Sequence, residues 1–239
     1  MTIKKNILIT GASSGIGKAS AEILSRQGHQ LVLLSRRENE LNELNIQLGG
    51  QHLVIPTDVT NYNDVKSAVA QVIEKLGSID TVLNNAGLGF FDPFEEGKIE
   101  QWHTMIDVNI KGLLNIIHAS LQALKNSHGH LINLGSVASH NVFPNSGVYC
   151  ATKHAVLAIS ESIRLEMAKD IRVTTISPGA VNTDFINQTT NNELLKDYKS
   201  YFAAGMTPEI IAEQIAWAIN APSDVVLSEI MIRPNKQPI

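Results

Sequence analysis

NILITGASSGIG, residues 6–17, is the stretch that decides how this 239-residue chain folds. An apolar, partly β-branched run from Asn6 to Thr10 stops at Gly11, and an Ala-rich helical pattern begins as the glycines end. The stretch therefore reads as strand, tight turn, helix. Gly11 permits the turn, Gly15 lets the backbone approach a pyrophosphate, and Gly17 allows close helix packing, so that the helix amino terminus faces the anion. The spacing is GxxxGxG, which departs from the GxGxxG of the general dinucleotide fingerprint. Glycine-rich turns between strand and helix also arise for steric reasons alone. Gly11, Ser13, Ser14, Gly15, Ile16 and Gly17 are the candidate phosphate cradle.

Working outward, the same alternation repeats. HQLVLLSRR, HLVIPTDVT, IDTVLNNAG, GHLINLGS, IRVTTISPG and VVLSEIMIRP read as further strands. Helical runs separate them: NDVKSAVAQVIEKLG, a long helix from Trp102 to Lys125, one from Tyr149 to the vicinity of Lys169, and TPEIIAEQIAWAIN, whose Thr207, Pro208 and Glu209 suit a helix start. This pattern predicts an α/β fold, a doubly wound and mainly parallel sheet with helices on both faces, the Rossmann arrangement. With no linker apparent, residues 1–239 are expected to form a single NAD(P)-binding domain. In such sheets ligands bind at the carboxyl ends of the strands. Gly11, Arg36, Asp58, Asn85, Ser136 and Pro178 all fall there.

The second strand ends in Arg36 and Arg37. An acid at this position would bind the ribose 2′-hydroxyl of NAD, whereas arginine accommodates the 2′-phosphate of NADP; a solvated turn is the plainer alternative. The expected cofactor is NADP(H). Asp58 and Val59 close the third strand, where a carboxylate and a backbone amide could meet an adenine, although Asp58 also suits a turn or a helix cap. Asn85, Ala86 and Gly87 end the fourth strand with small or amide side chains that let backbone and cofactor come close. Pro178 and Gly179 end the sixth, with Val181 and Thr183 following.

The chemistry is carried by residues 133–153. Ser136 stands just past an apolar strand, and Tyr149 and Lys153 share one face of a helix because they are four residues apart. A free Tyr has a pKa of about 10 and needs roughly three units of depression to exchange protons near neutrality. Lys153 places positive charge beside the phenol, and Ser136 can hydrogen-bond a substrate oxygen while Tyr149 gives or takes its proton. Taken alone, a Tyr and a Lys at this spacing are an ordinary exposed pair; with a nucleotide site upstream they fit carbonyl reduction or alcohol oxidation.

Other features set bounds. The helix from Trp102 to Lys125 is apolar around more than half its circumference, which fits deep burial or a subunit contact. Asn109 is a helical amide that needs a partner, if only a structural tie to nearby backbone. Residues 181–206 turn polar yet carry Phe185, Tyr198, Tyr201 and Phe202, as a lid or a short surface helix would. Phe90, Phe91 and Phe143 are candidates for an apolar pocket wall. His128 and His130 lack a third ligand, so no metal site is expected. Cys150 reads as a packing residue, and one cysteine excludes an intramolecular disulfide framework. A net charge of −4 gives no case for nucleic acid, and no apolar run has the length to span a bilayer. With no secretory signal pattern in MTIKKNILIT, a cytoplasmic protein is expected.

TGASSGIG, NNAG at Asn84 to Gly87, Asn109, Ser136, YCATK from Tyr149 to Lys153 and the Pro178–Gly179 pair occur in the order of one known family. The chain resembles a short-chain dehydrogenase/reductase over essentially its whole length. That resemblance implies a catalytic set of Asn109, Ser136, Tyr149 and Lys153, with Asn109 holding a water in a proton relay to Lys153. It also implies that Lys153 binds the nicotinamide ribose, that Thr183 meets the carboxamide, and that copies assemble as a homodimer or homotetramer. Within the family the chain looks most like the NADP-dependent 3-hydroxy acid or serine dehydrogenases. A carboxylate substrate would want an arginine or lysine, yet residues 137–148 contain neither and the lid offers only Lys196 and Lys199. Small ketones or aldehydes are the other expectation. A redox-sensing regulator that binds NADPH without chemistry is the alternative from another class, and an isomerase or dehydratase using the cofactor internally is a further one.

Overall fold

The inner strands of the sheet divide their side chains between two apolar layers. In the computed structural model, which describes residues 3–189 and 191–235, Ile7 and Ile9 of β1 (Asn6–Thr10) enter one layer and Leu8 the other. Leu31 and Leu33 of β2 (Gln30–Ser35) oppose Val32 and Leu34 in the same way. The period of two along a strand forces this division, and both layers are apolar because helices cover both faces. The first face is covered by α1 (Gly15–Arg26), α2 (Glu38–Gln47) and α8 (Pro208–Asn220). The second is covered by α3 (Tyr62–Leu76), α5 (Leu113–Asn126) and α6 (Gly147–Glu166).

The remaining strands are β3 (Leu53–Pro56), β4 (Thr81–Asn84), β5 (His130–Leu134), β6 (Arg172–Pro178) and β7 (Glu229–Ile232). They form one seven-stranded sheet in the order β3-β2-β1-β4-β5-β6-β7. Every pairing is parallel, which completes the mainly parallel sheet expected from the alternation. The chain moves outward from β1 to β3 and then returns to lay β4 on the other side of β1, so the strand ends diverge between β1 and β4. A crevice opens at such a point. The last strand is shorter than the expected run from Val225, because β6 offers it partners only from Thr175 to Pro178.

One expected helix is divided. Between α4 (Ile99–Ile106) and α5 the chain widens into a π-helical turn, Asp107–Gly112, with Asn109 buried inside it. A π turn inserts an extra residue and re-aims the side chains around it, a device frequent at functional sites. Gly112 closes the turn where a Cβ would come within 2.8 Å of Val59 Cγ2.

His130 on β5 is buried, shares a hydrogen bond of 2.7 Å with Thr174 Oγ1, and has no partner at Nδ1. Burial, with Arg172 and Lys5 adding repulsion, pushes its pKa down to about 3. The folded protein therefore holds His130 neutral where an unfolded chain would protonate it below its ordinary value of 6.5. Stability is fully present above that value and falls as pH drops toward about 3, by up to about 1.4 kcal/mol per pH unit. His29 and His52, both lowered by burial, act in the same direction. Denaturant midpoints measured from pH 7 to pH 4 are expected to fall less steeply in His130→Gln; an unchanged slope would remove this histidine from the account.

Candidate active site

The crevice is built first from backbone. Thr10 Oγ1 accepts hydrogen bonds from the backbone N–H groups of Asn85 and Ala86, both at 2.9 Å, and so fastens the end of β4 to the end of β1. Asn85 Nδ2 returns bonds to the carbonyls of Thr10 (2.9 Å) and Gly11 (3.4 Å). Gly11 and Gly15 have φ of +66° and +54°, the left-handed region that favours glycine. A Cβ on Gly17 would collide with the Gly11 carbonyl oxygen, so this glycine serves helix packing, as its position in the motif suggests. Nothing in the local sequence marked Thr10 as the tie between the two strands.

A cavity of about 880 Å³ runs along these strand ends. Ser13, Ser14, Gly15 and Ile16 line it with Arg36, Arg37, Asp58 and Val59. Asn85, Ala86, Gly87, Pro178, Gly179, Val181 and Thr183 follow, and Ser136, Tyr149 and Lys153 complete it. Gly11 is also in the wall; of the residues singled out from the sequence, Gly17 and Asn109 lie behind it. The Arg37 guanidinium donates to Ser13 Oγ at 2.8 Å and to Ser14 Oγ at 2.6 Å, which brings positive charge onto the glycine turn. Asp58 Oδ1 accepts from the backbone and hydroxyl of Thr60, at 2.9 and 2.8 Å, so its role as a turn residue coexists with its place in the wall.

The first two turns of α6 present Tyr149 and Lys153 to the cavity. Lys153 is buried, donates to the Leu134 carbonyl at 2.8 Å, and holds Nζ 5.9 Å from the centre of the Tyr149 ring. The Ser136 hydroxyl accepts from Ala138 N at 3.1 Å and donates toward the Pro178 carbonyl at 3.4 Å. Burial pushes Lys153 down to about 8. Burial also pushes the Tyr149 phenol up to about 12, against the pull of its hydrogen bond with Ser136. The protein's own groups thus hold the phenol protonated, and the depression expected from the sequence requires added positive charge at the ring.

Asn109 stands directly behind this pair. Its Oδ1 accepts from Leu88 N (2.9 Å), and its Nδ2 donates to the Leu88 carbonyl (2.8 Å) and to Thr152 Oγ1 (3.1 Å), which itself donates to the Tyr149 carbonyl. The side chain is the structural tie that a buried helical amide needs. In Asn109→Leu both Leu88 backbone groups lose their partner in a buried setting, each worth about 1–3 kcal/mol. Thermal unfolding is therefore expected to move several degrees lower; an unshifted midpoint would show that the tie carries no weight.

The segment from Val181 to Met206 leaves and re-enters the fold at one point. Val181 bridges Met206, with Asn182 N donating to the Met206 carbonyl and Met206 N to that of Ala180. Within it a 3-10 turn, Asp184–Gln188, precedes α7 (Asn192–Ala203), so the polar stretch is a helix that roofs the cavity with Tyr198, Tyr201 and Phe202. Asp197 lines the cavity, whereas Lys196 and Lys199 do not. Phe91 and Phe143 are in the wall, but Phe90 faces a separate small depression beside Trp102, a correction that comes from the loop's path rather than from residue type. Glu229 on β7, which no motif indicated, accepts from Ser177 Oγ and bonds His140 Nε2 at 2.7 Å. It ties the loop that follows Ser136 to β6, the His140 bond spanning 89 residues of sequence. Cys150 is buried, with its thiol pushed up by burial. Among the described residues no group of three His, Cys, Asp or Glu could hold a metal, and no helix is long and apolar enough to cross a membrane.

Residues 5–194 match the family described as short chain dehydrogenase. An uncharacterized oxidoreductase of Staphylococcus saprophyticus is 42% identical over 98% of this chain and 97% of its own. Among solved structures, an alcohol dehydrogenase from the archaeon Thermococcus sibiricus complexed with 5-hydroxy-NADP is 33% identical, with a TM-score of 0.87 over 99% of both chains. The closed form of a serine dehydrogenase complexed with NADP+ is 31% identical, with a TM-score of 0.92 over 98% of this chain and 96% of that one.

Proposed function

Because this chain belongs to the short-chain dehydrogenase family, we propose that it is an NADP(H)-dependent oxidoreductase that moves hydride between the nicotinamide and a carbonyl or secondary alcohol. One observation carries the reading: Tyr149 and Lys153 stand side by side in the wall of the same cavity that holds the glycine turn and Arg36 and Arg37. The residues fit such a cofactor. Gly11 and Gly15 keep the turn free of side chains, Ser13, Ser14 and the helix amino terminus offer donors to a pyrophosphate, and the two arginines suit a 2′-phosphate. Asp58 and Val59 would flank the adenine, and Asn85, Ala86, Gly87, Pro178, Gly179, Val181 and Thr183 the nicotinamide half. A bound nicotinamide supplies the hydride and, when oxidised, a positive charge near Tyr149.

The chain's own residues do the rest. Ser136 orients the substrate oxygen and Tyr149 exchanges its proton with it. Lys153 supports the phenolate, and Asn109 maintains the relay behind Lys153. The same reading gives a cytoplasmic enzyme of one domain, with a small-molecule carbonyl or alcohol as partner and no role for nucleic acid. Copies are proposed to pair through the α4–α5 region, where Ile106 and Leu114 remain 36% and 43% exposed. Sedimentation as a lone chain would refute that pairing. The test of the activity is absorbance-followed NADPH oxidation with a panel of ketones and aldehydes. Tight NADPH binding without turnover of any of them would favour a sensor, and product formed without net NADPH consumption would indicate internal use of the cofactor.

A further inference from the structure

On the reading that Ser136 and Tyr149 handle a carbonyl oxygen, the wall around them specifies the rest of the substrate. The Tyr149 ring meets Phe91 and Phe185 edge-on, with centres 5.5 Å away in each case, and Phe91 meets Tyr198 of the roof at 5.2 Å. Phe143 and Phe202 extend this lining. Aromatic edges and faces set at such angles suit another ring entering among them.

The charges on this side are as one-sided as the rings. Apart from Lys153, the charged side chains around these rings that line the cavity among the described residues are the exposed carboxylates Asp184 and Asp197; the tyrosines Tyr149, Tyr198 and Tyr201 are neutral. Arg36 and Arg37 follow β2, three strand spacings from the β5 end that carries Ser136, or roughly 14 Å. Lys196 and Lys199 flank Asp197 in sequence and do not line the cavity. A substrate carboxylate would give up water against the rings, find no cation but Lys153, which donates to the Leu134 carbonyl, and stand near the carboxylates of Asp184 and Asp197.

We propose that the substrate is an uncharged aryl ketone or aldehyde, or the matching alcohol, and that the same wall discriminates against carboxylates. In the reducing direction NADPH gives hydride to the carbonyl carbon and Tyr149 gives the proton to the oxygen, leaving alcohol and NADP+. Tyr149 regains its proton from solvent through Lys153.

The test separates the wall from the hydride transfer on which it rests. Carboxamides present a carbonyl that NADPH does not reduce, so calorimetric titration of the NADPH-saturated protein with 4-tert-butylbenzamide and with 4-carbamoylbenzoate reads the wall alone. The neutral amide is expected to bind at least about 30-fold more tightly, and Tyr198→Ala to weaken it about tenfold. Asp197→Lys is expected to narrow the gap between the two ligands. Equal or tighter binding of the carboxylate, no binding of either ligand, or an unaltered neutral ligand in Tyr198→Ala overturns the assignment. If the binding order is as expected but 4-tert-butylbenzaldehyde is not reduced, the wall stands and the hydride-transfer reading fails.

Discussion

Replacing Tyr149 with Phe is expected to lower turnover by about 10²- to 10⁴-fold, the usual contribution of a positioned general acid or base. The change removes one oxygen and keeps the ring, so the edge-on contacts with Phe91 and Phe185 survive and the cavity keeps its shape. NADPH affinity should be nearly unaltered, because the glycine turn and the two arginines hold the other end. The phenol, pushed up to about 12 mainly by burial, is neutral in the folded protein, so its removal uncovers no charge and the variant should fold about as well as the parent. Steady-state rates and fluorescence titration of NADPH on both proteins check this. Retained turnover would sink the assignment of Tyr149 as the proton donor.

Replacing Arg36 and Arg37 together with Gln is expected to weaken NADPH by about 100-fold or more, since each charged hydrogen bond to a phosphate is worth about 1.5–3 kcal/mol. NADH, which lacks the 2′-phosphate, should lose far less. Some loss is still expected for it, because Arg37 also bonds Ser13 and Ser14 and steadies the turn. The difference between the two cofactors should shrink as salt rises, for the wall at Arg36 and Arg37 is open to solvent and screened. Equal losses for NADPH and NADH would refute the contact and return the arginines to a solvated turn.

The strands and most of the helices were legible in sequence because each strand is a short apolar run and most boundaries carry a glycine, a proline or a cap; α2 was not, for it follows Arg36 and Arg37 with no side-chain cap and buries only Leu41 and Leu44. Asn61 shows this well: its side chain accepts from Asn63 and Asp64 at the start of α3, and Gly77 ends that helix with φ of +79°. The phosphate turn, the basic end of β2, and the pairing of Tyr149 with Lys153 were legible for the same reason, since each is fixed by local spacing. The bend at Asn109 was not, because an apolar helical pattern looks the same whether its turns are α or π. There Asn109 meets the Leu88 backbone, 21 residues away in sequence.

The chain alone therefore determined the sheet, the crevice at its carboxyl edge and the identity of the groups that meet there. Only the tertiary structure decided which side chains face the cavity around Tyr149. Phe91 enters while Phe90 turns aside, Asp197 lines the roof while Lys196 and Lys199 do not, and Glu229 secures the loop beyond Ser136. The reason is physical: spacing along a helix or strand fixes a face through the backbone's own period, whereas in loops and in a roof docked from a distance the facing is set by contacts between residues far apart in the chain.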